Sequence, residues 1–120
     1  MIDAEKLVLD WLTGEFPSAR VSTEVPATIA GHVIRVLRIG GANRFVVDRA
    51  VVDVDCWALT RIAARALAES VRDSMCFRLP GTVTAAGGVS AVTTIAAPIW
   101  RPWDNTNVRR FGATFQLITR

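Results

Sequence analysis

The clearest pattern of apolar and polar positions lies in residues 35–75, where a strand pattern, a Gly-Gly pair, a second strand pattern and a helix pattern follow one another. Residues 32–39 are largely apolar on both alternating faces, which predicts a strand inside a sheet. Residues 50–59 predict a second strand with one core face and one face that is at least partly wet. The core face holds Ala50, Val52, Val54 and Cys56, and the other holds Val51, Asp53, Asp55 and Trp57.

A helix is predicted from Thr60 to Met75, with a narrow stripe of small and apolar residues directed at the sheet. That stripe consists of Ala63, Ala66, Leu67, Ser70, Val71 and Met75. An earlier helix should begin at the N-cap Asp3 and end at Gly14. Its buried face is predicted to hold Leu7, Val8, Trp11 and Leu12.

The remaining segments predict strands and loops. Short or alternating apolar patterns predict strands at 20–24, 89–97 and 111–118. Pro and Gly residues indicate loops at 26–31 and 40–49. Helix, strands, helix and strands in that order are typical of an α+β fold, with two helices packed on a mainly antiparallel sheet. No repeat or linker interrupts the 120 residues, so we expect a single small domain over 1–120.

Charge argues against nucleic-acid binding as the main function. The net charge is +3 and the pI is about 9.7, but 13 of the 14 basic residues are Arg and they are scattered along the chain. The longest basic run is the pair Arg109-Arg110, whereas a nucleic-acid tract has five to eight basic residues.

The 22 residues from Leu79 to Trp100 carry no charge and would be long enough to cross a bilayer. Their glycines, prolines and threonines predict turns and one strand instead, so we expect no membrane association. Acidic residues interrupt the apolar positions at the N-terminus, so no secretory signal is expected. Cys56 and Cys76 are therefore expected to be free thiols of a cytosolic product, although a disulfide stays open.

Candidate chemistry is sparse. Asp53 and Asp55 share one strand face and could hold a cation or perturb each other's pKa, but a hard cation wants more ligands than these two supply. His32 is the sole histidine and stands beside no recognisable nucleophile. Gly40-Gly41 and Gly87-Gly88 lack the residues of a phosphate-binding loop and are expected to be turn glycines. We expect no catalytic residue, no cofactor and no metal.

Two segments are candidate interfaces. Trp100 and Trp103 flank Arg101 between two prolines, and Trp and Arg are the residue types enriched at interface hot spots. The tryptophans could instead close the edge of the core or stack on bases. The tip of the loop 40–49 is the second candidate, because long loops often carry function. The candidate interface residues are Asn43, Arg44, Phe45, Trp100, Arg101 and Trp103.

A series of short motifs in a fixed order resembles the tail terminator proteins of long-tailed bacteriophages, particularly those of actinobacterial hosts and prophages. The motifs span nearly the whole chain. They are Asp3-Ala-Glu-Lys-Leu-Val8 with Trp11-Leu12, Val25-Pro26, Arg38-Ile-Gly-Gly41, Val52-Asp-Val-Asp-Cys-Trp-Ala58, the Ala-rich helix after Arg61, and Trp100-Arg-Pro-Trp103 before a C-terminal Arg/Phe strand.

The resemblance implies a structural subunit of the virion, assembled in the host cytoplasm. It would form a homo-hexameric ring on the head-proximal end of the tail tube, stop tube polymerisation and provide the surface on which the head docks. Its partners would be its own copies, the major tail tube protein and a head completion or stopper protein. DNA would pass through the lumen without sequence-specific binding.

Three alternatives stay open beside the terminator. Another head-tail joining or tail-completion protein would share the size and setting. A small nucleic-acid-binding domain and a small enzyme are the others. A ring needs two different contact patches on each subunit, and the uncharged region from Leu79 to Trp100 is a candidate for one of them.

Overall fold

The computed structural model describes residues 3–29, 31–44, 47–84, 87–103 and 107–119. Two helices and a five-residue π-helical turn accompany the strands of this part of the chain. The elements are α1 (Ala4–Glu15), β1 (Arg20–Ser22), β2 (Val33–Arg44), β3 (Val47–Ala58), α2 (Arg61–Asp73), the π-turn (Ser74–Arg78), β4 (Val83–Thr84), β5 (Gly87–Trp100) and β6 (Arg109–Thr119).

The described strands form one six-stranded sheet in the order β1-β2-β3-β6-β5-β4. All neighbouring strands pair antiparallel except β1 and β2, which are parallel. The predicted α+β class, with a mainly antiparallel sheet and two packed helices, is confirmed. Among the described residues, no helix has the length and apolar character needed to cross a membrane.

Both helices begin with a side-chain cap: Asp3 was predicted as one, and Thr60, predicted as the first residue of the second helix, caps it instead. The carboxylate of Asp3 accepts a hydrogen bond from the backbone N–H of Lys6 at 3.1 Å, and the Thr60 hydroxyl accepts one from the N–H of Ala63 at 3.1 Å. Each cap satisfies a backbone donor that the first helical turn leaves unpaired. The end predicted at Gly14 is one residue short, because α1 continues through Glu15.

The stripe predicted for α2 is partly wrong. Ala66 and Ser70 are exposed, whereas Ala64 and Ala68 are buried together with Leu67 and Val71. Alanine occurs on every side of this helix, so hydrophobicity alone does not fix its rotation about its axis. Contact with the sheet fixes it instead. The helix also ends earlier than predicted, because the chain changes to the π-turn at Ser74.

The loop predicted at 40–49 is wrong, because β2 runs to Arg44 and β3 begins at Val47. Their register shifts between Arg38 and Gly40, which marks a β-bulge. Gly41 has φ +113°, and a Cβ there would lie 1.9 Å from the carbonyl oxygen of Arg49. Gly41 therefore permits close approach of the two strands beside the bulge, where a turn was expected from the sequence.

The two faces of the sheet are covered differently. Both helices pack on one face, and their buried side chains join those of β2, β3 and β6 in one large hydrophobic cluster. The opposite face carries a small cluster of Val33, Trp57 and Val108. We call these the helix-covered face and the helix-free face. The second face of β3 is thus wet only in part, since Asp55 and Trp57 are buried on it.

Candidate functional site

Two aspartates on the helix-free face are held by Arg35 of β2 and by Arg101, which directly follows β5. Arg101 Nη1 donates to Asp53 Oδ2 at 2.8 Å and to Asp55 Oδ1 at 2.7 Å, and so joins the two carboxylates. Arg35 Nη2 donates to the other oxygen of Asp55. The Thr114 hydroxyl donates to Asp53 Oδ1 at 2.9 Å. All four carboxylate oxygens therefore accept a hydrogen bond from the protein itself.

This arrangement has the chemistry of an ion-pair network. A third guanidinium, that of Arg110, approaches Asp55 Oδ2 at 4.0 Å, so three cations surround two carboxylates. The positive charges of these three arginines repel a metal cation. Among the described residues, no group of three or more metal-ligating side chains occurs. Burial acts to lower the pKa of Arg101, but the hydrogen bonds and charges of Asp53 and Asp55 outweigh it and raise that pKa.

Gly112 provides the space for this network. It lies opposite Asp55 in the β3–β6 register. A Cβ at this position would be 2.3 Å from Asp55 Oδ1 and 2.4 Å from Arg101 Nη1. Because those distances are far below van der Waals contact, the guanidinium of Arg101 can cross β6 to reach the aspartates only over a glycine.

The segment Trp100–Trp103, predicted as an interface, packs largely against its own chain. Trp100 meets Phe111 edge to face at 5.6 Å between ring centroids, beside the helix-covered cluster. Trp103 meets Trp57 in the same geometry at 5.3 Å, beside the helix-free cluster. The two rings thus join different clusters, although both border an open groove of about 270 Å³. Their role as partner contacts stays a prediction.

Cationic side chains also stack on these rings. Arg110 lies 4.9 Å from the ring of Trp103 and 5.9 Å from that of Trp57, and Arg61 lies 5.0 Å from that of Trp100. Arg110 also donates to the carbonyl oxygens of Arg101 and Pro102. These contacts tie residues 101–103 to β6 and tie Trp100 to the start of α2.

The other predicted interface residues are located only in part. The backbones of Asn43 and Arg44 pair with Asp48 and Val47 in the β2–β3 hairpin, and their side chains lie outside what the structure describes. Phe45 lies outside the described residues.

The remaining candidates for chemistry occupy ordinary positions. Burial raises the pKa of the Cys56 thiol, and the neighbouring charge of Asp55 adds to that effect. Cys76 is partly buried, with its sulfur 3.2 Å from the Thr94 hydroxyl, and both cysteines are free. His32 is exposed, and its carbonyl accepts the backbone hydrogen bond of Arg20.

Four residues around the aspartate pair were not predicted from the sequence. Arg35, Arg110, Gly112 and Thr114 come from β2 and β6, and they reach the aspartates only through the strand register. Arg35 pairs with Asp55 and Thr114 with Asp53 across the sheet. Each of these residues alternates with core residues along its own strand, and this pattern places it on the opposite face. The pattern shows which residues meet only once the order of the strands is known.

Comparison with known proteins identifies a shared fold. No family model matches the chain, and no curated protein matches it. The chain is similar to a protein in the solved virion of a native gene transfer agent particle, with a TM-score of 0.64 and 17% sequence identity. The match covers 98% of this chain and 91% of that one. The two proteins share a fold.

Proposed function

We propose that this chain is a structural component of a phage-type virion, and more narrowly a tail terminator. In that role it forms a ring on the head-proximal end of the tail tube, ends tube polymerisation and presents the surface that docks onto the head. The observation that carries the proposal is the likeness in fold, over nearly the full length of both chains, to a component of a virion.

Two further observations support this reading. Two of the motifs that resemble tail terminators lie in or against the core. The β3 motif 52–58 supplies buried residues to both faces, and Trp100 and Trp103 pack against the two hydrophobic clusters. On the helix-free face Asp53 and Asp55 are paired with Arg35 and Arg101, and the Cys56 thiol is buried with a raised pKa. This is the chemistry of a scaffold that acts through its surfaces.

The test is deletion of the coding sequence from the genome that carries it, followed by electron microscopy of the particles. A terminator predicts tail tubes of excessive and variable length that are not joined to DNA-filled heads. Supplying the chain in trans should restore uniform tails.

Other outcomes separate the alternatives. Tails of normal length that fail to join heads would favour a head-tail joining protein over a terminator. Normal infectious particles in the absence of the chain would refute a structural role in the virion.

A further inference from the structure

An open cavity of about 210 Å³ lies at the C-terminal end of α1, beside β4. It is lined by Asp10, Trp11, Gly14 and Glu15 of α1 and by Thr84 of β4, and we call it the α1 pocket. Its volume equals that of about seven waters at ~30 Å³ each, which is the room that one long side chain needs. Gly14 borders open space, since a Cβ at this position would meet nothing within 4 Å.

Two of the lining carboxylates can each accept a further hydrogen bond. Lys6 Nζ pairs with Asp10 Oδ2 at 2.8 Å, and both the Ser74 hydroxyl and Arg78 Nε donate to Glu15 Oε1. The second oxygens, Asp10 Oδ1 and Glu15 Oε2, accept no hydrogen bond from the described part of the chain. A donor that enters the α1 pocket can therefore bind both carboxylates without breaking their present contacts.

Two further features of the α1 pocket favour a cation. The last turn of α1 carries no basic residue, so no cation of that turn balances the partial negative charge of the helix carbonyls. Trp11 supplies an aromatic wall, and the hydrogen bond from its Nε1 to Ser74 Oγ at 2.9 Å fixes the ring. A guanidinium suits this setting better than an ammonium, because it is planar and can stack on a ring while it donates to carboxylates.

Charge is distributed unequally along the chain. Residues 3–15, which form α1 and its N-cap, hold four acidic residues and one lysine, a net charge of −3. The whole chain carries +3, so the rest of it carries +6. A second copy of the chain accordingly offers the positive charge that complements α1.

Three exposed arginines are available for such a contact. They are Arg20 of β1, Arg49 of β3 and Arg65 of α2. Within the part of the chain that the structure describes, their guanidinium groups form no hydrogen bond or ion pair. None of the three lines the α1 pocket, so a contact between one of them and the pocket joins two different surfaces.

We propose that the α1 pocket of one copy binds an exposed arginine of a second copy. In this contact the guanidinium lies against Trp11 and donates to Asp10 Oδ1 and Glu15 Oε2. The inference rests on the proposed ring, in which every subunit uses two different surfaces. The α1 pocket belongs to one of these surfaces, and the arginine belongs to the other.

Sedimentation velocity of the full chain tests the pocket side of the contact. It is run at about 1 mM protein, where a dissociation constant as weak as ~1 mM is detected. Gly14→Met fills the α1 pocket without a change of charge, and Thr13→Met, exposed one residue earlier, is its matched control. Asp10→Asn removes one carboxylate, and Asp73→Asn, exposed at the end of α2, is its control. Both pocket variants should associate about tenfold more weakly than the parent, and both controls should match the parent within about twofold.

The arginine side is tested with Arg20→Gln, Arg49→Gln and Arg65→Gln. One of these variants should associate as weakly as Gly14→Met. A mixture of that variant with Gly14→Met should give one-to-one dimers that grow no further, because each partner keeps one of the two surfaces. About 1 M salt should weaken association of the parent, since the Debye length falls to ~3 Å.

A monomeric parent would overturn the proposal, as would parent-like association of Gly14→Met or of all three arginine variants. If the variants behave as predicted but deletion of the coding sequence leaves particles normal, the contact stands and the proposed function fails. If deletion gives tail tubes of excessive length but the pocket variants associate like the parent, the function stands and this contact is removed.

Discussion

The helix-covered and helix-free faces of the same sheet use the same strands for different purposes. On the covered face, alternate residues of β3 and β6 pack under two helices in one continuous apolar cluster. On the other face, those strands carry an ion-pair network and a small tryptophan cluster, and the neighbouring strand β5 adds the exposed side chain of Ile99 opposite Gly112. The comparison indicates that one face supplies most of the folding free energy, while the other shapes a surface for contact.

The largest loss of stability is expected when a large side chain is removed from the helix-covered face. Phe115 is fully buried there. Phe115→Ala should lower the free energy of unfolding by about 3–5 kcal/mol, because it removes apolar contact and leaves a cavity. Urea unfolding followed by circular dichroism measures this. A loss below about 1 kcal/mol would contradict the assignment of stability to this face.

A substitution at Gly112, which leaves room for the ion-pair network, should be almost as destabilising. Gly112→Ala places a methyl group against Asp55 and Arg101, which separates a carboxylate from its cation. We expect a loss of about 3 kcal/mol, since breaking a buried pair leaves an uncompensated charge. The control is Gly14→Ala, where a Cβ meets nothing within 4 Å and helix propensity predicts a gain of about 0.5–1 kcal/mol. Equal effects of the two changes would refute the role given to Gly112.

Trp103 should have a smaller effect because its ring is only partly buried. Trp103→Ala removes the edge-to-face contact with Trp57 and the stacking of Arg110. Together these predict a loss of about 2 kcal/mol in a protein that still folds. Trp103→Phe keeps part of the ring contact and should lose less. An unchanged free energy of unfolding for Trp103→Ala would show that the ring does not support the fold and would favour a pure interface role.

Glu15 at the end of α1 accepts hydrogen bonds from Ser74 and Arg78 of the π-turn. Their contribution to stability should depend on pH. The hydrogen bond from Ser74, with that from Arg78, lowers the pKa of Glu15 below its ordinary value of 4.5. A lowered carboxylate pKa adds stability that is present above the unfolded value and is lost as pH falls through the folded value. Glu15→Gln should therefore be less stable than the parent at pH 7, and the difference should shrink below about pH 4.5. A difference independent of pH would contradict the ionic contribution.

Local signals on the chain were enough to predict much of the fold. The caps Asp3 and Thr60 fixed where the helices begin, and the alternation at Val52, Val54 and Cys56 identified the covered face of β3. These features depend on residues a few positions apart. Sequence patterns at such short range are therefore the reliable part of the prediction.

Features that depend on strand register could not be predicted in the same way. Gly40 and Gly41 suggested a turn because the bulge that uses them is defined only by the opposing strand. The pairing of Asp55 with Arg35 and Arg101 joins residues 20 and 46 positions apart. The exposure of Phe77 depends on a π-turn that helical periodicity does not indicate.

The smallest expected effect on folding belongs to the exposed apolar residues. Ile62→Lys and Ile95→Lys should each change the free energy of unfolding by less than about 0.5 kcal/mol, because neither side chain is in the core. Lys6→Ala on the outward side of α1 is a matched surface control.

The most direct measurement is the length of the tail tubes in electron micrographs of particles made after deletion of the coding sequence. The account predicts tubes of excessive and variable length that are not joined to DNA-filled heads, and uniform tails when the chain is supplied in trans. Tubes of normal, uniform length in the absence of the chain would contradict it.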